Sequence, residues 1–203
     1  MIELSSKKQK IFFTSDLHFN HAAIMKFCNR PFASVEEMNE KLIENWNNVV
    51  GEKDIVFDLG DVCFKNKWDC LDQLNGKHYL IYGNHDESLL RYPEFKSKFQ
   101  TVQAQQKLLI DGRCVYLNHY PFLCYGGTYR KERDAVYALS GHVHVTKFDN
   151  TGKDFERLQY LFPYQYDVGV DFNDYRPISW EEVKNKITTQ VKLNKNLLYW
   201  VNS

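Results

Sequence analysis

The sequence predicts an α/β domain, on three observations. Short apolar, β-rich runs alternate with helical patterns in the order β-α-β-α-β as far as Tyr82. Polar clusters stand just after such runs, at Asp16-Leu17-His18, Gly60-Asp61, Gly83-Asn84-His85-Asp86, Asn118-His119 and Gly141-His142-Val143-His144. In a parallel α/β sheet those exits share one edge, where sites form. With 43% hydrophobic and 15% aromatic residues in 203, the chain can bury a substantial core, which excludes disorder, and it is read as one domain over residues 1–203.

The first strand, Lys10 to Thr14, is carried by Ile11-Phe12-Phe13, and a short helical stretch follows from Ala22 to Cys28. Ser34-Val35-Glu36-Glu37 is a capping box, because a serine and a glutamate three residues on can satisfy each other's free helix-start amides. The helix it opens is expected to run to about Val50, with Gly51 as its stop and Val35, Met38, Leu42, Trp46 and Val49 as its apolar stripe. Asp54-Ile55-Val56-Phe57 is the second strand, a helix from Trp68 to Leu74 closes at Asn75-Gly76, and His78 to Tyr82 is the third strand. A polar helix is expected near Glu87 to Phe99. Lys107 to Ile110 and Arg113 to Leu117 flank Asp111-Gly112, a pair that accepts the positive φ angles of a type I′ hairpin turn. Strands follow at Ala135 to Leu139 and Tyr166 to Val170, then a second capping box at Ser179-Trp180-Glu181-Glu182 opening a helix to about Thr188, and an edge strand from Val191 to Val201.

Lys+Arg and Asp+Glu both number 26, so no global charge marks the chain for polymeric nucleic acid or acidic membranes. The start Met1-Ile2-Glu3-Leu4-Ser5-Ser6-Lys7-Lys8 lacks the apolar core of a signal peptide, and no run reaches membrane-spanning length, so a cytoplasmic protein is expected. Five cysteines without a Cys-x-x-Cys pair fit neither a disulfide framework nor a thiolate zinc site, and no motif makes Cys63 catalytic.

Of the seven histidines, His18, His85, His119, His142 and His144 lie in the strand-exit clusters with Asp16 and Asp61. Singly each would be an ordinary structural histidine; together they describe a metal site. Imidazole with carboxylate suits Mn²⁺, Fe, Zn²⁺ or Ni²⁺, whereas an all-oxygen set would favour Mg²⁺ or Ca²⁺. A carboxylate such as Asp61 can span two ions ~3.5–4 Å apart, which lower the pKa of a water and stabilise charge on a phosphoryl oxygen.

Asp16-x-His18, Gly60-Asp61, Gly83-Asn84-His85-Asp86, His119 and Gly141-His142-x-His144 resemble, in order and spacing, the five blocks of the calcineurin-like metallophosphoesterases. The first block, Asp16-Leu17-His18-Phe19-Asn20-His21, is similar to that of the small bacterial and phage members. The resemblance implies two stacked mixed β-sheets flanked by helices, with metals on loops at one end. It implies Asp16, His18 and His144 on a first metal, Asn84, His119 and His142 on a second, and Asp61 on both, the pair being divalent transition-metal ions with Mn²⁺ foremost. It also implies in-line attack on a phosphoester by a metal-bridging hydroxide, with His85 protonating the leaving alkoxide rather than binding metal.

Protein serine/threonine phosphatases carry Asp-Arg-Gly where this chain has Phe64, Lys65 and Asn66, which disfavours a protein substrate and leaves His85 without its usual orienting carboxylate; Asp86 is a candidate replacement. Asn20, His21 and Arg30 are candidate substrate-binding residues, the alternatives being a loop-stabilising pair for Asn20 and His21 and a surface arginine before a proline for Arg30, and Asp58 is a candidate partner for a metal-bound histidine. Asp167 and Asp171 read as caps, and the aromatic segment Tyr160 to Tyr175 as core and rim. A phosphodiesterase is the leading function, by analogy. The same core serves a phosphomonoesterase or nucleotidase, and a nucleotide is one candidate substrate. A mononuclear iron oxygenase leaves most clusters unexplained, and a non-catalytic metal-binding scaffold would have lost ligands where none is missing. Oligomeric state is not encoded legibly.

Overall fold

The computed structural model describes residues 1–144 and 163–193. Its strands are β1 (Ile2–Leu4), β2 (Ile11–Thr14), β3 (Ile55–Asp58), β4 (Lys77–Ile81), β5 (Val102–Gln103), β6 (Gln105–Ile110), β7 (Arg113–Asn118), β8 (Tyr137–Ser140), β9 (Gln165–Asp167) and β10 (Ile178–Ser179), and its helices α1 (Ala22–Phe27), α2 (Val35–Asn47), α3 (Pro93–Lys96) and α4 (Trp180–Leu193). The strands form two five-stranded sheets, ordered β10-β2-β3-β4-β5 and β1-β6-β7-β8-β9. Both are mixed: β2, β3, β4 and β5 are parallel with β10 antiparallel to β2, and β6 and β7 are an antiparallel pair inside an otherwise parallel sheet.

The side-chain period of two explains the layering. Ile11 and Phe13 of β2 and Ile55 and Phe57 of β3 point one way and meet Leu108, Ile110, Val115, Leu117 and Leu139 of the other sheet; Trp180, Val183 and Ile187 of α4 join them. Phe12, Val56 and Leu80 point the other way and meet Met38, Leu42 and Trp46 of α2. β2 and β3 are therefore covered on both faces, which is why they read as unbroken apolar runs. The result is an α/β sandwich of two mixed sheets with flanking helices.

Several local expectations hold in detail. Asp111 and Gly112 have φ of 48° and 81°, the positive pair of a type I′ turn, and the hairpin register Ile110↔Arg113 closes over them. At α4, Ser179 Oγ accepts the Glu182 N–H at 3.2 Å while the Glu182 carboxylate accepts the Ser179 N–H at 3.0 Å, a complete capping box. Burial works against the Glu182 charge, but Arg176 and Ser179 outweigh it and hold its pKa down at about 2. At α2 the box is half displaced, because Glu37 accepts from Ala33 N–H instead of Ser34.

Other expectations need correction. Helix α2 ends at Asn47 rather than near Val50, its last carbonyls met by Asn48, Val49 and Val50 N–H groups. The stretch from Asp69 to Gln73 is a 3₁₀ helix, and of the polar helix expected from Glu87 to Phe99 only α3 forms, because Tyr92 before Pro93 is held extended. Helix α4 runs past Thr188 to Leu193, taking in Val191; the rest of the strand expected up to Val201 lies outside the described residues, as do residues 160–162 of the aromatic segment. Tyr164 and Tyr166 are core. No described helix is long and apolar enough to cross a membrane.

Beyond the strand ends the two sheets are stitched together. Ser15, just after β2, bridges Gly169, just after β9, and Val170 donates to Ser15 carbonyl oxygen at 3.0 Å. The carboxyl ends of β2, β3 and β8 meet at this seam.

Candidate metal centre

All five polar clusters reach the seam, and backbone bonds hold them in mutual register. Asp16 N–H donates to Gly60 and His18 N–H to Asp61, each at 2.9 Å, so the first loop lies on the second; Gly141 N–H donates to His119 carbonyl at 3.0 Å, tying the fifth loop to the fourth. Asp16, His18, Asp61, His142 and His144 all have positive φ, between 50° and 71°. Each such non-glycine residue costs on the order of 1–3 kcal/mol, and the tight turns aim alternate side chains at one point. Gly83 is required by close approach: a Cβ there would overlap Asp61 Oδ1 and stand 2.7 Å from His119 Cε1.

Asp86 turns out to be the staple of this arrangement. It is wholly buried and accepts from Asp61 N–H at 2.7 Å, Val62 N–H at 3.0 Å and Gly83 N–H at 2.8 Å. Its carboxylate thus joins the β3 and β4 exit loops and is spent on backbone, so it does not orient the His85 ring. Burial, only partly offset by those three donors, pushes its pKa up to about 6.

The converging atoms fall into two groups sharing Asp61. In the first, His18 Nε2 and His144 Nε2 are 3.2 Å apart and His144 Nε2 is 3.8 Å from Asp16 Oδ1. In the second, His119 Nε2 lies 3.2 Å from Asn84 Oδ1 and 3.2 Å from His142 Nδ1. Asp61 Oδ2 stands between them, 3.7 Å from His18 Nε2 and 3.5 Å from His119 Nε2, while its Oδ1 accepts the His85 N–H at 2.8 Å. One oxygen of Asp61, rather than two, therefore faces both groups.

A cation bonded at ~2.1 Å keeps its ligand atoms roughly 3–3.5 Å apart, so these spacings fit one ion in each group. The fit is supported by Asp16 Oδ1, which is buried and has no hydrogen-bond partner although its Oδ2 accepts the His142 N–H at 2.9 Å. A buried carboxylate oxygen left bare is costly unless a cation meets it. The far nitrogens agree: His119 Nδ1 is 2.7 Å from Leu59 carbonyl oxygen, and His144 Nδ1 is 2.9 Å from Asp171 Oδ2, which puts a proton on each Nδ1 and the lone pair on Nε2.

Electrostatics alternate around the ring of candidate ligands. Burial, with the neighbouring His144 charge, pushes the pKa of His18 well down, and burial with His119 lowers that of His142. Burial also opposes charge on His119 and His144, but Asp61 raises the first, and Asp16 with Asp171 holds the second up at about 11. The His119 and Asp61 attraction is mutual: burial would raise Asp61, yet His119 and His85 keep its pKa low. A divalent ion takes the Nε2 lone pair, so binding at His119 or His144 excludes a proton from that nitrogen.

His85 stands at the opening, its side chain 38% exposed and its Nε2 3.9 Å from Asp61 Oδ2. Its ring packs on His18 at 5.2 Å and edge-on to Phe64 at 5.8 Å between centroids. The aromatic ring thus contacts His85 from the position where a protein phosphatase carries its orienting carboxylate.

The candidate substrate residues separate. Arg30 is only 4% exposed and faces inward: Nε and one terminal nitrogen grip Asp171 at 2.7 and 2.9 Å, and its terminal nitrogens donate to Leu17 and Asp16 carbonyls at 2.9 and 2.7 Å. With its donors committed beneath the site, Arg30 holds Asp171, which holds His144. Asn20 clamps the loop, bonding Asn39 side chain and Lys67 carbonyl. His21 is buried beside His18 and His85. Asp58 accepts Gly60 N–H in its own strand-exit turn rather than serving a histidine. Cys63 is buried, and burial pushes its thiol pKa well up, so it is no nucleophile.

Residues 9–172 match the family model of the calcineurin-like phosphoesterases. The chain is 38% identical over 178 residues to the uncharacterized protein MJ1445 of Methanocaldococcus jannaschii, covering 84% of this chain and 87% of that one. It is 38% identical over 179 residues to the Gene 66 protein of Mycobacterium phage L5, covering 78% of this chain and 85% of that one. Among solved structures, a protein of unknown function from Aquifex aeolicus shares the fold, with a TM-score of 0.65 at 23% identity over 88% of this chain and 99% of that one.

Proposed function

This chain belongs to the calcineurin-like phosphoesterase family, and we propose that it hydrolyses phosphodiesters with two divalent cations, Mn²⁺ foremost among Mn²⁺, Fe, Zn²⁺ and Ni²⁺. The observation that carries the reading is the pair of ligand groups meeting at Asp61 Oδ2, with the bare, buried Asp16 Oδ1 turned into the first. Asp16, His18, His144 and Asp61 would hold one ion, and Asp61, Asn84, His119 and His142 the other. When bound, such a pair supplies a water of lowered pKa and neutralises charge on phosphoryl oxygens.

The chain's own groups do the rest. His85, exposed at the mouth beside Asp61, donates a proton to the departing oxygen. Asp86 fixes the loops that carry Asp61 and His85, and Asp171 fixes the His144 ring. The diester preference is supported by Arg30: this guanidinium, packed against the ligand shell, is consumed by Asp171 and two carbonyls, leaving it unable to meet the second charge of a monoester. Tyr120, 45% exposed with its ring 4.6 Å from that of His142, offers an aromatic face to a nucleoside or aryl group on the substrate. Its five unpaired cysteines suit a reducing cytoplasm.

The test compares bis-p-nitrophenyl phosphate with p-nitrophenyl phosphate on Mn²⁺-loaded protein; equal rates would remove the diester preference. In the same assay His85→Ala should keep both ions and lose roughly 10²–10⁴ in turnover, most on esters with poor leaving groups. Loss of the ions, or full activity on such esters, would contradict the proton-donor role.

A further inference from the structure

One ring beside the candidate ligands has no task in that reaction, the ring of His21. It is 8% exposed and stacked face to face on Phe64, with centroids 3.9 Å apart and planes at 9°. His85 flanks this stack, its centroid 5.8 Å from that of His21 and 5.8 Å from that of Phe64. Its Nδ1 lies 3.1 Å from Nδ1 of His18. Two ring nitrogens at that distance are joined by one proton, so one ring donates and the other accepts.

The far side of His18 decides which. Its Nε2 faces His144 Nε2 at 3.2 Å and Asp61 Oδ2 at 3.7 Å. A cation held there needs a lone pair on His18 Nε2, which places the His18 proton on Nδ1 and makes His21 Nδ1 the acceptor. A neutral His21 then carries its own proton on Nε2. Among the described residues no group accepts that N–H.

We propose that His21 is a substrate-binding residue whose Nε2–H donates to a non-bridging oxygen of the bound phosphoryl group, while its Nδ1 sets the tautomer of His18. The assignment rests on the phosphoester-hydrolase reading above. Phe64 is the wall that keeps the ring plane fixed between the metal ligand and the substrate.

Two near-isosteres separate the two faces of the ring. Asparagine places its carbonyl oxygen close to the position of Nδ1 and stops short of Nε2; glutamine places its amide nitrogen close to Nε2 and lacks the acceptor. Mn²⁺ affinity and the affinity of the Mn²⁺-loaded protein for inorganic phosphate are measured by titration calorimetry. His21→Asn should bind Mn²⁺ within about threefold of the parent and phosphate about tenfold more weakly, the loss expected of one charge-assisted hydrogen bond. His21→Gln should show the reverse, with the first Mn²⁺ about tenfold weaker and phosphate little changed. A His21→Asn protein that binds phosphate as tightly as the parent overturns the proposal, as does a Mn²⁺-loaded parent that binds no phosphate. Neither affinity depends on turnover, so a parent that binds two Mn²⁺ and phosphate yet cleaves neither ester would refute the hydrolase reading while the two variants still decide the role of His21.

Discussion

Asp61→Asn protein is expected to fold like the parent, to retain fewer than two Mn²⁺ per chain, and to lose on the order of a thousandfold or more in turnover. The substitution is nearly isosteric, and an asparagine carbonyl can still accept the His85 N–H that Asp61 Oδ1 now accepts at 2.8 Å. What changes is the atom facing the histidines. Asp61 Oδ2, 3.7 Å from His18 Nε2 and 3.5 Å from His119 Nε2, would become an amide that points hydrogens at both ion positions. Losing a supporting partner of a ligand typically costs ~10–100-fold in metal affinity, and losing the shared ligand should cost more. Metal analysis after dialysis, alongside a thermal melt, checks this; an Asp61→Asn protein that keeps both ions tightly would mean that Asp61 does not bridge.

Arg30→Met should lower stability by about 3–5 kcal/mol, the usual cost of stranding one member of a buried ion pair. Arg30 and Asp171 have side chains 0% and 1% exposed and meet through two bonds, and the same guanidinium caps the Asp16 and Leu17 carbonyls in the strained first loop. For a chain of this length the loss corresponds to a fall of roughly 6–20 °C in melting temperature. Arg30→Lys should recover little, since an ammonium cannot grip a carboxylate with two parallel bonds while capping two carbonyls. Metal affinity should fall with stability, because Asp171 fixes His144. A melting temperature within about 2 °C of the parent would show that Asp171 finds other compensation.

The strand-exit clusters were legible because parallel strands deliver their ends to one edge, and β2, β3 and β4 do so. Capping boxes and the Asp111-Gly112 turn were legible because they are local. What escaped was non-local. Asp171 is 141 residues from Arg30, and nothing in its neighbourhood marks it as the partner of His144 rather than a cap. Asp86 was visible beside His85, but its partners are backbone N–H groups of residues 61, 62 and 83, which carry no side-chain signature. Arg30 looked like a surface arginine before a proline until its carboxylate and carbonyl partners were in view. The shortest strands, β5 and β10, have two residues each and exist only through their neighbours, so no periodicity could reveal them. Positive φ at five of the ligand candidates was equally hidden, since tertiary bonds between the loops impose it.

The central claim is that two ions share Asp61, and anomalous diffraction from crystals grown with Mn²⁺, recorded at the manganese edge, tests it most directly. Two peaks separated by ~3.5–4 Å are expected, one among Asp16, His18, His144 and Asp61 and the other among Asp61, Asn84, His119 and His142. A single peak, or one centred on Cys28, His144 and Asp171, whose ligand atoms also lie within 4.8 Å of one another, would contradict it.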